Sequence, residues 1–406
     1  MVSATVQRAA VAPWWRTLTV QVLALYAVTR LVSAVMLAMV APEQLPAGMT
    51  GGQRVGYLGF TKIWDGEWYE RIARTGYPHD LPVDAAGQVQ QNPWAFYPLF
   101  PLACRALMAL TGLPFEAVGS TLALVLGGAA AVVMARMLAE RVGKANALLV
   151  VLLYAVFPAS PALQLAYTES LAMLLLCGYL WALSTRRWLV TTGLALLVGV
   201  SRPIALPLAL VTLLAVWLRW RQRRDQPVDR REAWSALAAL LGCGVAGLLW
   251  PAVAWAGTGR ITAYTDTMGA WSAGGQVRWF VPWIWTSQWL FGSWGPWVLA
   301  GLVVAMVAAM AGPWAARLGP ELRGWSLAYP AYVMTAQGPG TSTPRYLLMM
   351  FPYLVVLVGV GWARRPRMPL VPTYVRVVVF AAVFLVLQWM WVSVLWLFTP
   401  PSDWAP

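Results

Sequence analysis

The sequence predicts an all-α polytopic membrane protein, because it is strongly apolar and its apolar residues are grouped into long segments. Of its 406 residues, 60% are hydrophobic and only 11% are charged, whereas about 25% of the residues in a typical soluble domain are charged. Many of the segments approach the roughly 20 residues with which a helix crosses a hydrocarbon core about 30 Å thick. We therefore expect a single integral-membrane domain over residues 1–406. Its net charge of +14 does not indicate a nucleic-acid partner in such a chain.

About eleven apolar segments could form transmembrane helices by this length rule. The first segment has an apolar run longer than the core of a signal peptide, so we expect it to be retained as a helix. The segments lie at about 17–40, 116–139, 146–161, 163–183, 188–201, 203–218, 234–256, 294–316, 325–338, 346–362 and 371–397.

The placement of arginine predicts the orientation, because short cytoplasmic loops carry an excess of Lys and Arg. The clusters fall on one side only if the stretch 96–110, interrupted by Pro98 and Pro101, does not span the membrane. We therefore expect an interfacial helix there, at the end of a first extracytoplasmic loop over 41–115, and a second such loop over 257–293. The protein is then a multi-pass plasma-membrane protein with a cytoplasmic N-terminus. The clusters are Arg8 with Arg16, Arg141 with Lys144, Arg186 with Arg187, the arginines of 219–231, Arg317 with Arg323, and those of 364–367.

The first loop contains two carboxylates among aromatic residues, in the run from Trp64 to Pro78. Asp65 and Glu67 are two residues apart, flanked by Trp64, Trp68 and Tyr69. Aromatic faces can stack on the apolar face of a sugar while a carboxylate takes a proton from a hydroxyl. The alternative is an interfacial amphipathic helix whose tryptophans only anchor it to the membrane.

Metal chemistry has little support in the sequence. The single His79 and the widely spaced Cys104, Cys177 and Cys243 cannot build a Cys/His cluster, which excludes a zinc or haem function. A divalent ion could bind through Asp65, Glu67 and Asp266, but three dispersed carboxylates do not compel one. We expect no required metal or other cofactor.

Five motifs follow one another over residues 60–360. They are Trp64 to Pro78, Phe96 to Leu102, Tyr167 to Leu171, Ser201-Arg202-Pro203, and Ser342 to Leu347 followed by Phe351-Pro352. In this order they together resemble the PIG-V family of mannosyltransferases. That family is similar in architecture to other GT-C glycosyltransferases, which are multispanning enzymes with a catalytic aspartate in the first external loop.

The resemblance implies a mannosyltransferase that uses polyprenyl-phosphate mannose as co-substrate and donor, with inversion at the anomeric carbon. Asp65 matches the catalytic aspartate and would act as general base. Arg202 and Arg345 lie at outward ends of predicted helices, and either guanidinium could neutralise the leaving phosphate through a two-point fork. Glu169, with Glu67, Trp64, Trp68 and Tyr69, is a candidate for substrate binding. The acceptor stays open between a glycolipid, a glycan and a protein.

Other interpretations remain open. The chain could be a transporter or flippase for a lipid-linked sugar, although its polar candidates gather at one face rather than at the midplane, or a non-catalytic scaffold. Glu169 could form a structural ion pair, and Arg202 could stabilise a helix break before Pro203. We expect Arg30 to pair with a carboxylate or extend toward headgroups. His79 is expected to be a solvated loop residue. Asp266 and Gln276 are expected to be polar loop residues, with contact to the acceptor as the alternative.

Overall fold

The computed structural model describes residues 17–271, 278–363, 371–400 and 406. In these ranges the elements are helices, and the first loop adds one isolated antiparallel bridge between Val83 and Val89. The all-α prediction is confirmed for this part of the chain. The α-helices are α1 (Leu18–Val40), α2 (Tyr57–Phe60), α3 (Asp65–Thr75), α4 (Leu99–Thr111), α5 (Phe115–Val142), α6 (Lys144–Ala155), α7 (Glu169–Ser184), α8 (Trp188–Gly199), α9 (Ala205–Arg221), α10 (Arg230–Thr258), α11 (Ala263–Ala270), α12 (Val281–Phe291), α13 (Gly295–Ala311), α14 (Gly319–Ala336), α15 (Thr343–Leu347), α16 (Pro352–Val358) and α17 (Thr373–Met390).

Five helical segments of the described chain are long and apolar enough to cross a membrane. Several other apolar helices, such as the 12-residue α6 and α8, are shorter than the roughly 20 residues of a full crossing. The membrane character of the chain is supported, while a total near eleven crossings stays a prediction. The five segments are Leu18–Glu43, Phe115–Val142, Arg230–Thr258, Val281–Ala311 and Thr373–Trp396.

The segment expected at 346–362 is not a single helix. The chain forms the short helix α15, a 3-10 turn and then α16, which ends before Gly359. Pro352 lacks the backbone N–H that a continuous helix needs, and Gly359 has φ +78°, a left-handed conformation that glycine adopts readily. The expectation of one uninterrupted span is therefore wrong here.

The two segments expected at 146–161 and 163–183 are separated by a longer break than the pattern suggests. Helix α6 ends at Ala155 and α7 begins only at Glu169. The intervening residues 156–168 are irregular apart from a 3-10 turn over Ser160–Gln164, and nearly all of them are buried. Pro158 and Pro161 explain the break, because proline interrupts the helical hydrogen-bond ladder.

The first loop contains the two helices that the sequence indicates. Helix α3 begins at Asp65 and ends at Thr75, and Gly76 follows with φ +78°. Helix α4 covers the proline-interrupted stretch and ends before Gly112, which is left-handed. Their placement at a membrane surface stays a prediction.

Small residues allow the central helices to pack closely, as is common in membrane bundles. Helix α5 packs on α1, α6 and α7, α8 packs on α10, and α9 packs on α14. At Gly127 of α5 a Cβ atom would lie 2.2 Å from the Tyr26 hydroxyl of α1. Only glycine permits that approach.

The helix order separates two ends of the bundle. One end holds the arginine-bearing turns, where Arg141 donates to the carbonyl of Leu318 and Arg186 donates to Gln222 and Gln226. The opposite end holds the start of α7, the turn between α8 and α9, and the turn that follows α14. The residues 364–367 and the N-terminal arginines lie outside the described residues.

Candidate functional site

Asp65 is the first residue of α3, and two long-range contacts hold it there. Trp64, which precedes it, has φ +65° and is 8% exposed, and its Nε1–H donates to the carbonyl of Trp396 at 2.8 Å. The backbone N–H of Asp65 donates to the hydroxyl of Tyr167 at 2.8 Å. A carboxylate in the first turn of a helix is also favoured by the helix dipole. The hydrogen bond to Trp396 thus fixes Trp64, the residue that directly precedes Asp65.

Tyr167, which accepts the hydrogen bond from Asp65, lies in the buried break between α6 and α7. The Tyr167 hydroxyl donates to the carbonyl of Ile63 at 3.0 Å, and the N–H of Ala166 donates to the carbonyl of Thr61 at 3.0 Å. These bonds tie the break to the residues that lead into α3. The position of Asp65 therefore depends on the conformation of residues 156–168.

Four charged side chains form one alternating network beside Asp65. Arg345 donates through Nη2 to Oδ2 of Asp65 at 2.9 Å and through Nη1 to Oε1 of Glu169 at 3.1 Å. Arg202 donates through Nη2 to the same Oε1 at 2.8 Å. Two cations and two carboxylates cancel, which is how buried charges are tolerated.

Burial differs sharply among the four groups. The side chains of Arg345 and Glu169 are 3% and 1% exposed, whereas Arg202 is 13% and Asp65 is 19% exposed. The Arg345 guanidinium also lies over the Tyr167 ring, 5.0 Å from its centroid. Arg345 and Glu169 form the closed centre of the network, and Asp65 and Arg202 form its accessible ends.

A cavity of about 610 Å³ lies against this network. Its walls come from the first loop, the α8–α9 turn, α11, α12 and residues 335–346. This volume is within the range of small-molecule sites, roughly 300 to 1,000 Å³. Residues that matter for its chemistry include Asp65, Tyr69, Tyr97, Arg202, Trp271 and Arg345.

Several polar atoms at the cavity wall have no hydrogen-bond partner within the described residues. They are the Arg202 Nη1, the Ser201 Oγ and the Trp271 Nε1. An unpaired buried donor or acceptor costs about 1–3 kcal/mol. These atoms are available to a polar ligand in the cavity.

Of the residues nominated from the sequence, Asp65, Tyr69, Arg202 and Arg345 line the cavity. Tyr69 is buried, and its hydroxyl lies 3.2 Å from the Thr168 hydroxyl. Glu169 lies behind Arg202 and Arg345, as the ion-pair interpretation expects.

The other nominated residues of the first loop lie elsewhere. Trp68 stacks on Phe96, 5.7 Å between centroids, and contacts the edge of Trp271. Trp68 therefore supports the cavity wall rather than lining it. Glu67 is exposed on α3, on a face of the helix that does not line the cavity.

The cavity also contains residues that sequence reasoning did not nominate. Tyr97 and Tyr264 place their hydroxyl oxygens 3.1 Å apart, and Arg278 lies over the ring of Trp285, 5.3 Å from its centroid. Tyr97 belongs to one of the resemblance motifs, which was the available signal for it. Arg278 had no comparable signal.

The remaining polar residues that the structure describes bond to groups that do not line the cavity. The Nδ1 of His79 lies 3.0 Å from the carbonyl oxygen of Gly257, and Asp266 pairs with Arg260 at 3.3 Å. Arg30 bonds to backbone carbonyls, so the expectation of a carboxylate or headgroup partner is wrong. Gln276 lies outside the described residues.

Metal ligands are not grouped in the described part of the chain. It contains no cluster of three or more His, Cys, Asp or Glu side chains that could hold an ion. At Asp65 the nearest charged partner is the guanidinium of Arg345. The need for a metal stays untested by this geometry.

Comparison with known proteins shows the fold. The sequence matches no protein-family model and no curated protein. The structure is similar to the apo oligosaccharyltransferase of Archaeoglobus fulgidus, with a TM-score of 0.52 and 13% identity over 94% of this chain and 56% of that chain. The fold of this chain is therefore similar to that of the matched oligosaccharyltransferase. At such low identity the likeness shows the fold alone.

A second structure from the same organism has a lower score. It is the oligosaccharyltransferase AglB in complex with an inhibitory peptide and a dolichol-phosphate, with a TM-score of 0.49 and 12% identity over 94% of this chain and 56% of that chain. This chain therefore spans little more than half the length of the structures it matches.

Proposed function

We propose that the protein is a membrane glycosyltransferase that moves mannose from polyprenyl-phosphate mannose to an extracytoplasmic acceptor. The observation that carries the proposal is the cavity in which the partly exposed Asp65 lies beside the buried Arg345 and Glu169 and the partly exposed Arg202. The GT-C-like fold supports transferase chemistry at a membrane. The order of the five motifs favours the PIG-V mannosyltransferases within that superfamily.

Asp65 would act as the general base of an inverting displacement. The acceptor hydroxyl oxygen attacks the anomeric carbon, and the sugar–phosphate C–O bond breaks on the opposite face. The electron pair of that bond leaves with the phosphate, and Asp65 takes the hydroxyl proton. Arg345 holds one carboxylate oxygen of Asp65 at 2.9 Å, which orients the base toward the cavity. Such a base contributes about 10² to 10⁴ in rate.

The leaving phosphate would bind at the Arg202 end of the network. Arg345 is shielded from solvent and already bonded to two carboxylates. Arg202 lines the cavity and has an unpaired Nη1, with the unpaired Ser201 hydroxyl beside it in sequence. Among the described lining residues, Arg202, Arg278 and Arg345 outnumber the single carboxylate of Asp65. This excess of positive charge favours an anionic ligand.

The cavity would face the extracytoplasmic side of the plasma membrane. Arginine-rich turns gather at the other end of the bundle, and such turns are typical of cytoplasmic loops. A polyprenyl chain would lie in the bilayer, the phosphate at its surface and the sugar in the cavity. The acceptor would be a glycolipid, a glycan or a protein, and no metal ion would be needed.

A transfer assay with purified protein tests this function. Labelled polyprenyl-phosphate mannose and a membrane lipid extract are supplied, and label is followed into products. Asp65→Asn keeps the shape of the side chain but cannot accept the proton, so turnover should fall by about 10² or more while donor binding persists. Asp266→Asn is the control, since Asp266 is a partly exposed carboxylate that is paired with Arg260 and does not line the cavity.

Four outcomes decide between these possibilities. Loss of turnover in Asp65→Asn but not in Asp266→Asn supports Asp65 as the general base. Unchanged transfer in the presence of EDTA supports a reaction that needs no metal ion. Near-normal turnover in folded Asp65→Asn ends the proposed mechanism. Movement of intact donor across liposome membranes without transfer would favour the transporter or flippase.

A further inference from the structure

Arg30 is a buried cation that the proposed chemistry does not use. It lies in the middle of α1, about 18 Å from the start of that helix at 1.5 Å per residue, and it is 3% exposed. A charged side chain at this depth costs several kcal/mol unless it is compensated. Within the described residues, its hydrogen-bond partners include no carboxylate: they are the carbonyls of Ala155 and Ser160, and the Ser160 hydroxyl at 3.0 Å.

The two carbonyls lie on either side of the break between α6 and α7. Ala155 is the last residue of α6, and Ser160 begins the 3-10 turn. The last carbonyls of a helix have no partner inside it, and they attract cations. Because water is scarce at this depth, an unpaired carbonyl there is costly. The guanidinium fork of Arg30 bridges both positions at once.

Neighbouring polar groups converge on the same break. The Ser160 hydroxyl donates to the Ala155 carbonyl at 2.8 Å. Gln388 of α17 donates to the Ser160 hydroxyl at 3.4 Å and to that of Ser33 at 2.5 Å. The Tyr26 hydroxyl donates to the carbonyl of Leu163 at 3.3 Å. Arg30 is the charged member of a polar cluster whose bonds end on residues 155–163.

The far end of this break supports the cavity. Tyr167 accepts the N–H of Asp65 and packs under the Arg345 guanidinium. Thr168 contacts the hydroxyl of Tyr69, and Glu169 binds Arg345. A shift of residues 156–168 would therefore move Asp65 and Arg345 together.

We propose that Arg30 is a positioning residue for the reaction: it fixes the break between α6 and α7, and through Tyr167 and Glu169 it sets the geometry of Asp65. The kinetic part rests on the proposed function, because it needs a measurable transfer. A misplacement of about 1 Å at a reacting group can cost about 10²-fold in rate. The structural part is independent of any substrate.

The test compares Arg30→Met and Arg30→Lys with a matched control, Arg323→Met. Arg323 also donates to carbonyls at a helix end, those of Met310 at 2.5 Å and Ala311 at 2.7 Å, but it lies at the end of the bundle that is opposite the cavity. We expect kcat to fall by about 10²-fold in Arg30→Met with little change in donor KM. Arg30→Lys should recover part of the loss, since lysine keeps the charge without the fork. The control should keep wild-type kcat.

Hydrogen–deuterium exchange of the same proteins supplies a readout that needs no substrate. Peptides covering 156–168 and 61–75 should exchange faster in Arg30→Met than in wild type, and those peptides should be unchanged in Arg323→Met. If the Met variant does not fold, the Lys variant decides by the same two readouts. Unchanged exchange in these peptides, wild-type kcat in a folded Arg30 variant, or an equal loss of kcat in the control would each overturn the proposal. A wild type without transfer refutes the proposed function alone, and the exchange data then decide on Arg30.

Discussion

Helix α9 has an arginine–glutamate contact near each end, and the two contacts differ in how completely they are satisfied. In its last turn, Arg219 donates through Nε and Nη2 to both carboxylate oxygens of Glu232, at 2.6 and 2.7 Å. Its remaining donors reach the carbonyls of Gln226 at 2.8 Å and Pro227 at 3.1 Å. This bidentate pair closes the turn between α9 and α10 and uses each nitrogen of its guanidinium.

The contact before α9 is different. Arg202 shares Glu169 with Arg345, and atoms of all three side chains have no partner within the described residues. This contact also adjoins a cavity. Buried polar groups are usually paired, so unpaired ones beside a cavity are available to a ligand, whereas the fully paired Arg219 has no donor to offer. The difference distinguishes the two ends although their residue types are the same.

The largest expected effect in this comparison comes from Arg345. Arg345→Ala leaves Asp65 and Glu169 without their shared cation, and breaking a buried ion network typically costs about 3–5 kcal/mol of unfolding free energy. Arg345→Lys should lose less stability but still lower turnover, because it cannot hold both carboxylates with one fork. Unfolding in denaturant and transfer rates measure the two effects. A stable and fully active Arg345→Ala protein would contradict the role of the network.

Arg202 should affect the donor more than the fold. Arg202→Gln removes the charge at the cavity wall, and a hydrogen bond to a charged group contributes about 1.5–3 kcal/mol. The donor KM should therefore rise about tenfold or more. Donor titration checks this, with Arg260→Gln, an exposed loop arginine paired with Asp266, as the control. An unchanged donor KM would show that another residue of the cavity binds the phosphate.

The pair at the other end of α9 should affect stability alone. Arg219→Met leaves Glu232, which is 22% exposed, and we expect a loss of about 1–2 kcal/mol. The double variant Arg219→Met with Glu232→Leu should regain much of it, since replacing both partners is often close to neutral. Transfer kinetics should stay at the wild-type level in both. A raised donor KM in either protein would contradict the assignment of Arg219 and Glu232 to a purely structural role.

The smallest effect is expected at a half-buried pair of the first loop. Burial raises the pKa of Glu70, but hydrogen bonds from Lys62 and Arg74 outweigh it and leave that pKa below its ordinary value of 4.5. A carboxyl whose pKa is lower in the folded protein than in the unfolded chain stabilises the fold at pH values above its ordinary pKa. This contribution is lost as the pH falls through the folded-state pKa. Lys62→Met should cost less than about 1 kcal/mol at pH 7. The difference in unfolding free energy between wild type and Lys62→Met should become smaller below pH 4.5. A difference that does not change with pH would contradict this role of Lys62.

The positions of many helices could be predicted from the sequence. The length of an apolar run and the positions of its prolines indicate local conformation. The positions of α1, α5 and α10 could therefore be predicted from their apolar runs. The motifs also contain Asp65, Glu169, Arg202 and Arg345, the four residues that form the charged network. The broken span around Pro352 was missed, because an apolar run does not reveal where its backbone stops being helical.

Arginine in the apolar segments shows the same limit. Arg30 was expected to meet a carboxylate or a headgroup, and it meets the two carbonyls of a broken helix instead. The partner of a buried charge depends on which backbone groups the neighbouring helices leave unpaired. That information does not exist in any single segment.

The sequence by itself determined a membrane bundle, the side on which its arginine-rich turns gather, and the residue types available to a site. Only the tertiary structure decided which of them meet: Arg345 reaches Asp65 across 280 positions, and Trp64 bonds to Trp396 across 332. The apolar pattern reflects a local preference for lipid or protein interior. Long-range pairing results from how helices pack, since packing alone sets which helix ends meet and which charges must neutralise each other.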